Sequence, residues 1–223
     1  MAQRGHRLFA AGYDRMTRPM EQTWLGARRA RLLADLTGEV LDVGAGTGAN
    51  LGHLRRAARV VAAEPDPAMR RRLAARATAR QSGDEAGSRA PVEVTGAAAE
   101  SLPFPTASFD AVIFTLVLCS VTDPDRALTE ARRVLRPTGR LVVLEHVRGT
   151  GRLARRQDRL TPVFRRLGAG CHPNRDTGAS IERAGFTFTA LDAFQVPPTW
   201  FPTSPMIEAV AAPAPQTRAA PAS

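Results

Sequence analysis

The sequence predicts an α/β fold: a seven-stranded, mostly parallel sheet with helices on both faces. Three observations predict it. Apolar runs at 40–43, 60–63 and 109–115 alternate with segments of helical periodicity, and strands alternating with helices imply a parallel sheet. The run at 109–115 is almost unbroken in its apolarity, as expected of a strand buried on both faces. The first run ends in Gly44-Ala45-Gly46-Thr47-Gly48, where glycine lets the chain turn sharply and approach a ligand closely.

The elements follow in order. Residues 3–36 carry Leu8, Phe9, Tyr13 and Met16, then Trp24, Leu25, Leu32, Leu33 and Leu36, at helical spacing. Pro19 is expected to divide them into two helices, because it lacks a backbone donor and its ring crowds the preceding turn. A strand is expected at 39–43, a helix from Thr47 to about Arg56, and a second strand at 60–64. Pro65 and Pro67 open a helix over 68–81, proline being tolerated in a first turn. Residues 82–91 are a polar loop and 92–95 a short strand. Asp123-Pro124-Asp125 starts a helix to Leu135. Pro137-Thr138-Gly139 makes a turn before a strand at 140–147.

Residues 152–167 form a basic amphipathic segment, with Leu153, Leu160, Phe164 and Leu167 expected over a substrate pocket and the arginines exposed. A short helix at 177–184 precedes strands at 186–194 and 206–212. One domain spans 1–212: a helical lid (1–36), a ligand-binding core (37–147), a second lid (148–185) and C-terminal strands (186–212). The Ala/Pro-rich tail, 213–223, is expected to be disordered.

Glu64 closes the second strand, sixteen residues beyond Gly48. An acid at that strand tip can take both hydroxyls of a ribose. The loop reads Asp-x-Gly-x-Gly-x-Gly, not the Gly-x-Gly-x-x-Gly that cradles a pyrophosphate. A nucleoside without a pyrophosphate is therefore indicated, S-adenosylmethionine (SAM), and a dehydrogenase is disfavoured.

The net charge is +10, and all 31 basic residues are arginine. The charge raises nucleic acid or an anionic membrane as partners. The arginines scatter along the whole chain, however, and no Asn/Asp-Pro-Pro-Tyr/Phe motif follows the fourth strand, so no nucleic acid partner is expected. The N-terminus shows no apolar signal region, and the longest apolar stretch, 111–121, is short of the ~20 residues of a membrane span. The expected location is cytoplasmic, with peripheral membrane contact open. Cys119 and Cys171 make no disulfide framework. With His146 and His172 they lack the paired spacing of a zinc motif, so no metal is expected.

Further motifs stand in order: Ala98-Ala99-Glu100-Ser101-Leu102-Pro103-Phe104, Ser108-Phe109-Asp110, and Val134-Leu135-Arg136-Pro137-Thr138-Gly139-Arg140. With Asp42–Gly48 and Glu64 they resemble the class I SAM-dependent methyltransferases, which have a Rossmann-like fold, over roughly residues 8–212. A narrower set, Thr115-Leu116-Val117-Leu118-Cys119-Ser120-Val121, Glu145-His146-Val147 and Gly170-Cys171-His172-Pro173-Asn174-Arg175-Asp176-Thr177, looks like the alkyl thiol S-methyltransferases and their bacterial relatives. The first half is also similar to quinone and phospholipid methyltransferases. Two departures are visible. Thr138 replaces a glycine of the family's turn, and Ala98 stands where many relatives have an acid for the adenine amino group.

The resemblance implies the site. Asp42 would accept from the SAM ammonium, and Gly44, Ala45 and Gly46 would supply backbone surface. Glu64 would hold the ribose, and Pro65 and Met69 would wall the adenine. Ala98, Ala99 and Glu100 would form the adenine slot. Thr115 and Leu116 would line the sulfonium end, and Tyr13 of the N-terminal lid would cover the cofactor. The implied reaction methylates a small, lipophilic acceptor, with a thiol favoured. Nitrogen, oxygen or carbon of a quinone, phospholipid or secondary metabolite is the alternative, and a non-catalytic SAM-binding protein a third. A thiol must ionise before it attacks, and His146 and His172 are the candidate bases.

Overall fold

The computed structural model describes residues 12–82 and 90–215. Leu8 and Phe9, most of the polar loop at 82–91 and the tail beyond 215 lie outside the described residues. Seven strands form one sheet: β1 (Gly38–Val43), β2 (Ala57–Ala63), β3 (Val92–Thr95), β4 (Phe109–Thr115), β5 (Leu135–His146), β6 (Phe186–Gln195) and β7 (Pro205–Pro213). Their order is β3-β2-β1-β4-β5-β7-β6, with β1 to β5 parallel and β7 antiparallel to both neighbours. This is the Rossmann-like sheet the sequence predicts. Chain order reverses between β1 and β4, and open α/β sheets bind ligands beyond the carboxyl ends of the strands at such a switch point.

The strands alternate sides with a period of two. Val40, Val60, Ala62, Ile113 and Val142 face one core layer, and Leu41, Val43, Val112, Phe114 and Val143 the other. Leu33, Leu36, Leu51 and Leu73 close the first layer. Ala127, Leu128, Ala131 and Ile181 close the second.

The N-terminal segment differs from expectation. Residues 12–33 form one continuous helix, α1, which Pro19 does not break. A π turn at Glu21–Leu25 follows the proline and continues into Gly26–Leu33. The wide turn relieves the proline clash without ending the helix. Gly26 makes it feasible, since a Cβ there would lie 2.3 Å from the Glu21 carbonyl oxygen. Arg28 and Arg31 then fasten α1 to the sheet. Both pair with Glu208 of β7 at 2.7 Å, and Arg28 also lies 3.4 Å over the Phe194 ring.

Two further expectations are corrected. Residues 47–56 do not form a helix. The glycine loop runs into a short 3-10 turn, Leu51–His53, because Gly46 and Gly48 adopt positive φ, which a helix does not accommodate. The turn at 137–139 lies inside β5 as a bulge. Phe109 pairs with Leu135 and Ala111 with Arg140, so 136–139 all stand opposite Asp110. Asp110 accepts from Glu39 N–H at 2.8 Å and pairs with Arg136. It holds the end of the sheet remote from the site.

The remaining helices are α2 (Pro67–Gln81), α3 (Pro124–Val134), α4 (Gly151–Leu167) and α5 (Thr177–Arg183). Asp66, Asp123 and Asp176 cap α2, α3 and α5 by accepting backbone N–H bonds. The buried face of α4 is rotated from the one expected: Leu153 and Phe164 are half-buried, but Leu160 and Leu167 are exposed. Ala154, Gln157 and Thr161 are buried, whereas Leu160, Val163 and Leu167 are exposed, Leu167 at 74%. Gln157 explains this orientation. Its Nε2 lies 2.8–3.0 Å from the carbonyls of Val147, Pro173 and Pro202, and its Oε1 accepts from Gly149 N–H at 2.8 Å. A buried amide so fully partnered outweighs three leucine-type contacts that water tolerates at modest cost.

Replacing Gly26 with Ala should therefore destabilise the protein by about 1–3 kcal/mol, the usual cost of forcing a methyl into filled space. Urea denaturation measures this. A midpoint equal to that of the parent would show that the π turn does not depend on a missing side chain.

Candidate active site

The carboxyl ends of β1, β2, β4 and β5 converge on one edge. Asp42, near the end of β1, is fully buried. Its Oδ1 accepts from Asn50 Nδ2 at 2.8 Å, and its Oδ2 has no hydrogen-bond partner. Burial pushes the Asp42 carboxyl up to about 6, against the opposing pull of Asn50 and Arg29. Gly44, at φ +64, touches the turn after β4, where a Cβ would stand 2.6 Å from the Val117 methyls. Ala45 is buried, and its N–H bonds to the Ala63 carbonyl at 3.0 Å. Gly46 faces open space on its Cβ side and donates its N–H to Glu64 at 2.9 Å.

Glu64, just past β2, also accepts from Asp66 N–H at 2.8 Å. Desolvation raises its carboxyl above the usual range. Pro65 is exposed, and Met69 is buried against Ala68 and Tyr13. Tyr13 of α1 thus packs on the adenine wall that the sequence assigned to Met69. Asp14 accepts from the Thr47 hydroxyl at 2.5 Å, so α1 also reaches the glycine loop.

Ala98 and Ala99 lie in a tight turn, with Ser101 N–H bonded to the Ala98 carbonyl at 3.1 Å. Glu100 is engaged elsewhere. Its side chain accepts from Thr122 N–H at 2.8 Å, at the start of α3, and its carbonyl takes the Arg126 Nε–H. These bonds tie the turn at 98–101 to the start of α3.

Thr115 ends β4, and its hydroxyl oxygen lies 2.8 Å from Arg29 and 2.9 Å from Asn50. Arg29 also bonds Asn50 Oδ1 and pairs with Glu21 at 3.1 Å. Neither Arg29 nor Asn50 was among the residues the sequence singled out. Arg29 reads as one more surface arginine of a helix, and only its burial reveals it. Leu116 takes φ +60 and donates its N–H to the Leu144 carbonyl at 2.9 Å.

Glu145, in β5, is the other buried acid. Its Oε1 accepts from Val117 and Leu118 N–H at 2.5 and 2.8 Å, and its Oε2 has no partner. Burial pushes it up to about 7. His146 and His172 meet the cysteines here. Cys171 Sγ is 3.8 Å from His146 Nδ1. His172 donates its backbone N–H to the Cys119 carbonyl at 2.6 Å, with its ring Nδ1 3.3 Å from the same oxygen. A cavity of about 540 Å³ opens beside them, lined by Ser120, Val121, Thr122, Pro162, Arg165, Arg166, Gly170 and His172.

Residues 41–143 match the family model described as "Methyltransferase domain". The mouse protein thiol S-methyltransferase TMT1B is 37% identical over 172 residues, 75% of this chain and 68% of that protein. The chain belongs to the class I methyltransferases, in the family of that enzyme. Demethylmenaquinone methyltransferase of Clavibacter sepedonicus is 38% identical over 146 residues, 61% of this chain and 54% of that protein. The rat TMT1B match spans 42% of that protein's length. A solved SAM-dependent methyltransferase from Thermotoga maritima shares the fold with a TM-score of 0.68. It is 20% identical and covers 95% of this chain and 99% of its own.

The protein is thus a methyltransferase that uses SAM and acts on small molecules. The residues present fit that donor. The unpartnered, buried Asp42 Oδ2 suits an ammonium, the open side of Gly46 leaves room for a ligand, and Glu64 presents lone pairs at the strand tip.

Two predictions test this end of the site. Glu64→Ala should weaken SAM binding by roughly 2–4 kcal/mol, the loss of two charge-assisted bonds with partial compensation by water. Titration calorimetry on the folded variant reads it, and unchanged affinity would remove the ribose assignment. Asp42 gives a pH signature. Its folded carboxyl titrates near 6, so at pH 5 about a tenth is ionised, and SAM should bind ~10-fold more weakly than at pH 7.5. The groups facing Asp42 are Arg29, Asn50 and, at longer range, Glu64. Asp42→Asn should bind weakly with a flatter profile. A variant with the parent's pH profile would place the titration elsewhere.

Proposed function

We propose that the acceptor is a thiol, methylated on sulfur. The observation that carries this reading is the placement of His172 on the wall of the cavity beside Cys119, Cys171 and His146. SAM, when bound, supplies an activated methyl group on a sulfonium. What remains for the protein is to align the acceptor, exclude water and remove the thiol proton. His172 is the base. Its ring is oriented by the Cys119 carbonyl, and it lines the space an acceptor would fill. His146 is held against Cys171 and has a positioning role. Arg165 and Arg166 at the cavity wall favour an acceptor with an anionic group beside an apolar body. The similarity to TMT1B supports the choice of sulfur.

The protein works in the cytoplasm and touches anionic membrane surfaces through α4. Leu160, Val163 and Leu167 form an exposed stripe at i, i+3 and i+7, beside exposed Trp200 and Phe201. Arg156 bonds the Trp200 carbonyl at 2.9 Å, with its guanidinium 5.6 Å from the ring centroid. Apolar side chains flanked by arginines suit the boundary of an anionic bilayer. The same helix supplies Pro162, Arg165 and Arg166 to the cavity. No helix of the described residues is long and apolar enough to cross a membrane.

A screen with labelled SAM across thiols, phenols, amines and quinones tests the acceptor, and transfer to any other class alone would reject sulfur. His172→Ala should slow thiol methylation ~10²–10⁴-fold with SAM affinity unchanged, the range for a lost general base. A wild-type rate would remove it from that role. Co-sedimentation with anionic vesicles at low salt should fall for Val163→Asp/Leu167→Asp, with methylation of a water-soluble thiol preserved. Absence of the parent protein from the pellet would dispose of the membrane reading.

A further inference from the structure

Cys119, His146 and Cys171 come from three segments far apart in sequence: the turn after β4, the end of β5 and the loop between α4 and α5. The fold brings one ligand atom of each within 4.8 Å of the other two. Both cysteines are buried and free. Zinc binds sulfur at about 2.3 Å and imidazole nitrogen at about 2.0–2.1 Å, which sets tetrahedral ligand atoms ~3.5–3.8 Å apart. Cys171 Sγ and His146 Nδ1 already stand at 3.8 Å, and small side-chain rotations bring Cys119 to the same spacing. Two thiolates and one imidazole suit this borderline-soft ion, and three protein ligands with one open position are the pattern of catalytic sites.

We propose that Cys119, His146 and Cys171 hold a Zn²⁺ ion whose fourth position takes the acceptor thiol. The inference about the fourth position rests on the thiol reading above; the three ligands do not. Ser120, Gly170 and His172, the immediate neighbours of the two cysteines, line the cavity, so an acceptor in that space lies next to the ligand cluster. The surroundings fit a thiolate centre. Arg175 donates to the Leu118 carbonyl at 2.5 Å and sits close enough to favour negative charge on both sulfurs. Absence of a local Cys-x-x-Cys or His-x-x-x-His motif says nothing against ligands gathered from separate loops.

The step balances without an added reductant or oxidant. The acceptor R–SH loses its proton to His172 and binds the ion as R–S⁻. Its sulfur then forms the new S–CH₃ bond as the donor's sulfonium–methyl bond breaks. The products are a neutral methyl thioether, a weak zinc ligand that leaves, and neutral S-adenosylhomocysteine.

The test uses the full chain, reduced, stripped with a chelator and titrated with Zn²⁺ and with Co²⁺. One equivalent should bind, and the cobalt form should show a thiolate-to-metal charge-transfer band that shifts when an alkanethiol is added. Cys119→Ser and Cys171→Ser should each lose more affinity than the ~10–100-fold typical of an outer-shell partner. Because serine variants can misfold, the wild-type cobalt spectrum is decisive by itself. No charge-transfer band in the reduced wild type overturns the metal site, as does a band of undiminished intensity in both serine variants. A band that ignores alkanethiol overturns the open position. Full-rate thiol methylation by the metal-free chain sinks this inference and leaves the proposed function standing. An intact band with no thiol methylated in the acceptor screen refutes the proposed function and supports the metal site.

Discussion

One buried carboxylate, Glu145, sets the acceptor end of the site. It belongs to β5, yet it accepts from the backbone of Val117 and Leu118 in the turn after β4. Those two bonds fix where the turn departs from the sheet. Val117 then fills the space that the absent Gly44 side chain leaves, and Cys119 follows at a depth where its carbonyl can hold His172. The loop between α4 and α5 is pinned to the same turn by Arg175 on the Leu118 carbonyl. A carboxyl buried this far keeps its ionised form only through such donors, and burial still pushes it up to about 7. With Oε1 committed to two backbone N–H groups, Glu145 ties β5 to the turn after β4, while its Oε2 stays unpartnered.

The donor end is organised around a cation. Arg29 reaches from α1 into the sheet edge and meets Asn50, Thr115 and Glu21. Asn50 in turn bonds Asp42. The chain from Glu21 to Asp42 crosses from the covering helix to the strand that carries the glycine loop. Buried networks of this kind are costly when incomplete, and the missing member here is the partner of Asp42 Oδ2. An ammonium of the donor is a partner of the chemistry that this oxygen would accept. Glu208 on one side and Thr47, through Asp14, on the other fasten α1 in the position from which Arg29 reaches this network.

Much of the fold was legible because strand burial and capping are local. Ala111–Phe114 announces a buried strand by apolarity alone, and Pro65, Pro67 and Asp123-Pro124 announce helix starts. Glu64 stands where the sequence puts it, just past the end of β2, accepting from the backbone of Gly46 and Asp66. The failures have a common cause. Pro19 was read by its local clash, and the π turn made possible by Gly26 removed that clash. Residues 47–56 have acceptable helix composition, but the positive φ at Gly46 and Gly48 turns the chain out of a helical path. Glu100 matched a motif whose side chain the fold uses to secure α3. Arg29, Asn50 and Gln157 give no sequence signal, since only tertiary contact makes a polar residue central.

The orientation of α4 shows how far periodicity reaches. Leu153, Leu160, Phe164 and Leu167 define an apolar stripe, and the hydrophobic effect alone turns such a stripe inward. Here the polar stripe of Gln157 and Thr161 faces in. Three loop carbonyls, from Val147, Pro173 and Pro202, need donors at that point. Leaving them unmet costs more than exposing leucines, because a buried acceptor without a donor forfeits its full hydration. The loops that need Gln157 are the ones that carry the end of β5 and the Cys171–His172 segment. The demand of these loop carbonyls therefore decides which face of α4 is buried. The apolar face left outside is a consequence of that demand, and it places a lipid-compatible surface on the helix whose Pro162, Arg165 and Arg166 form the cavity wall.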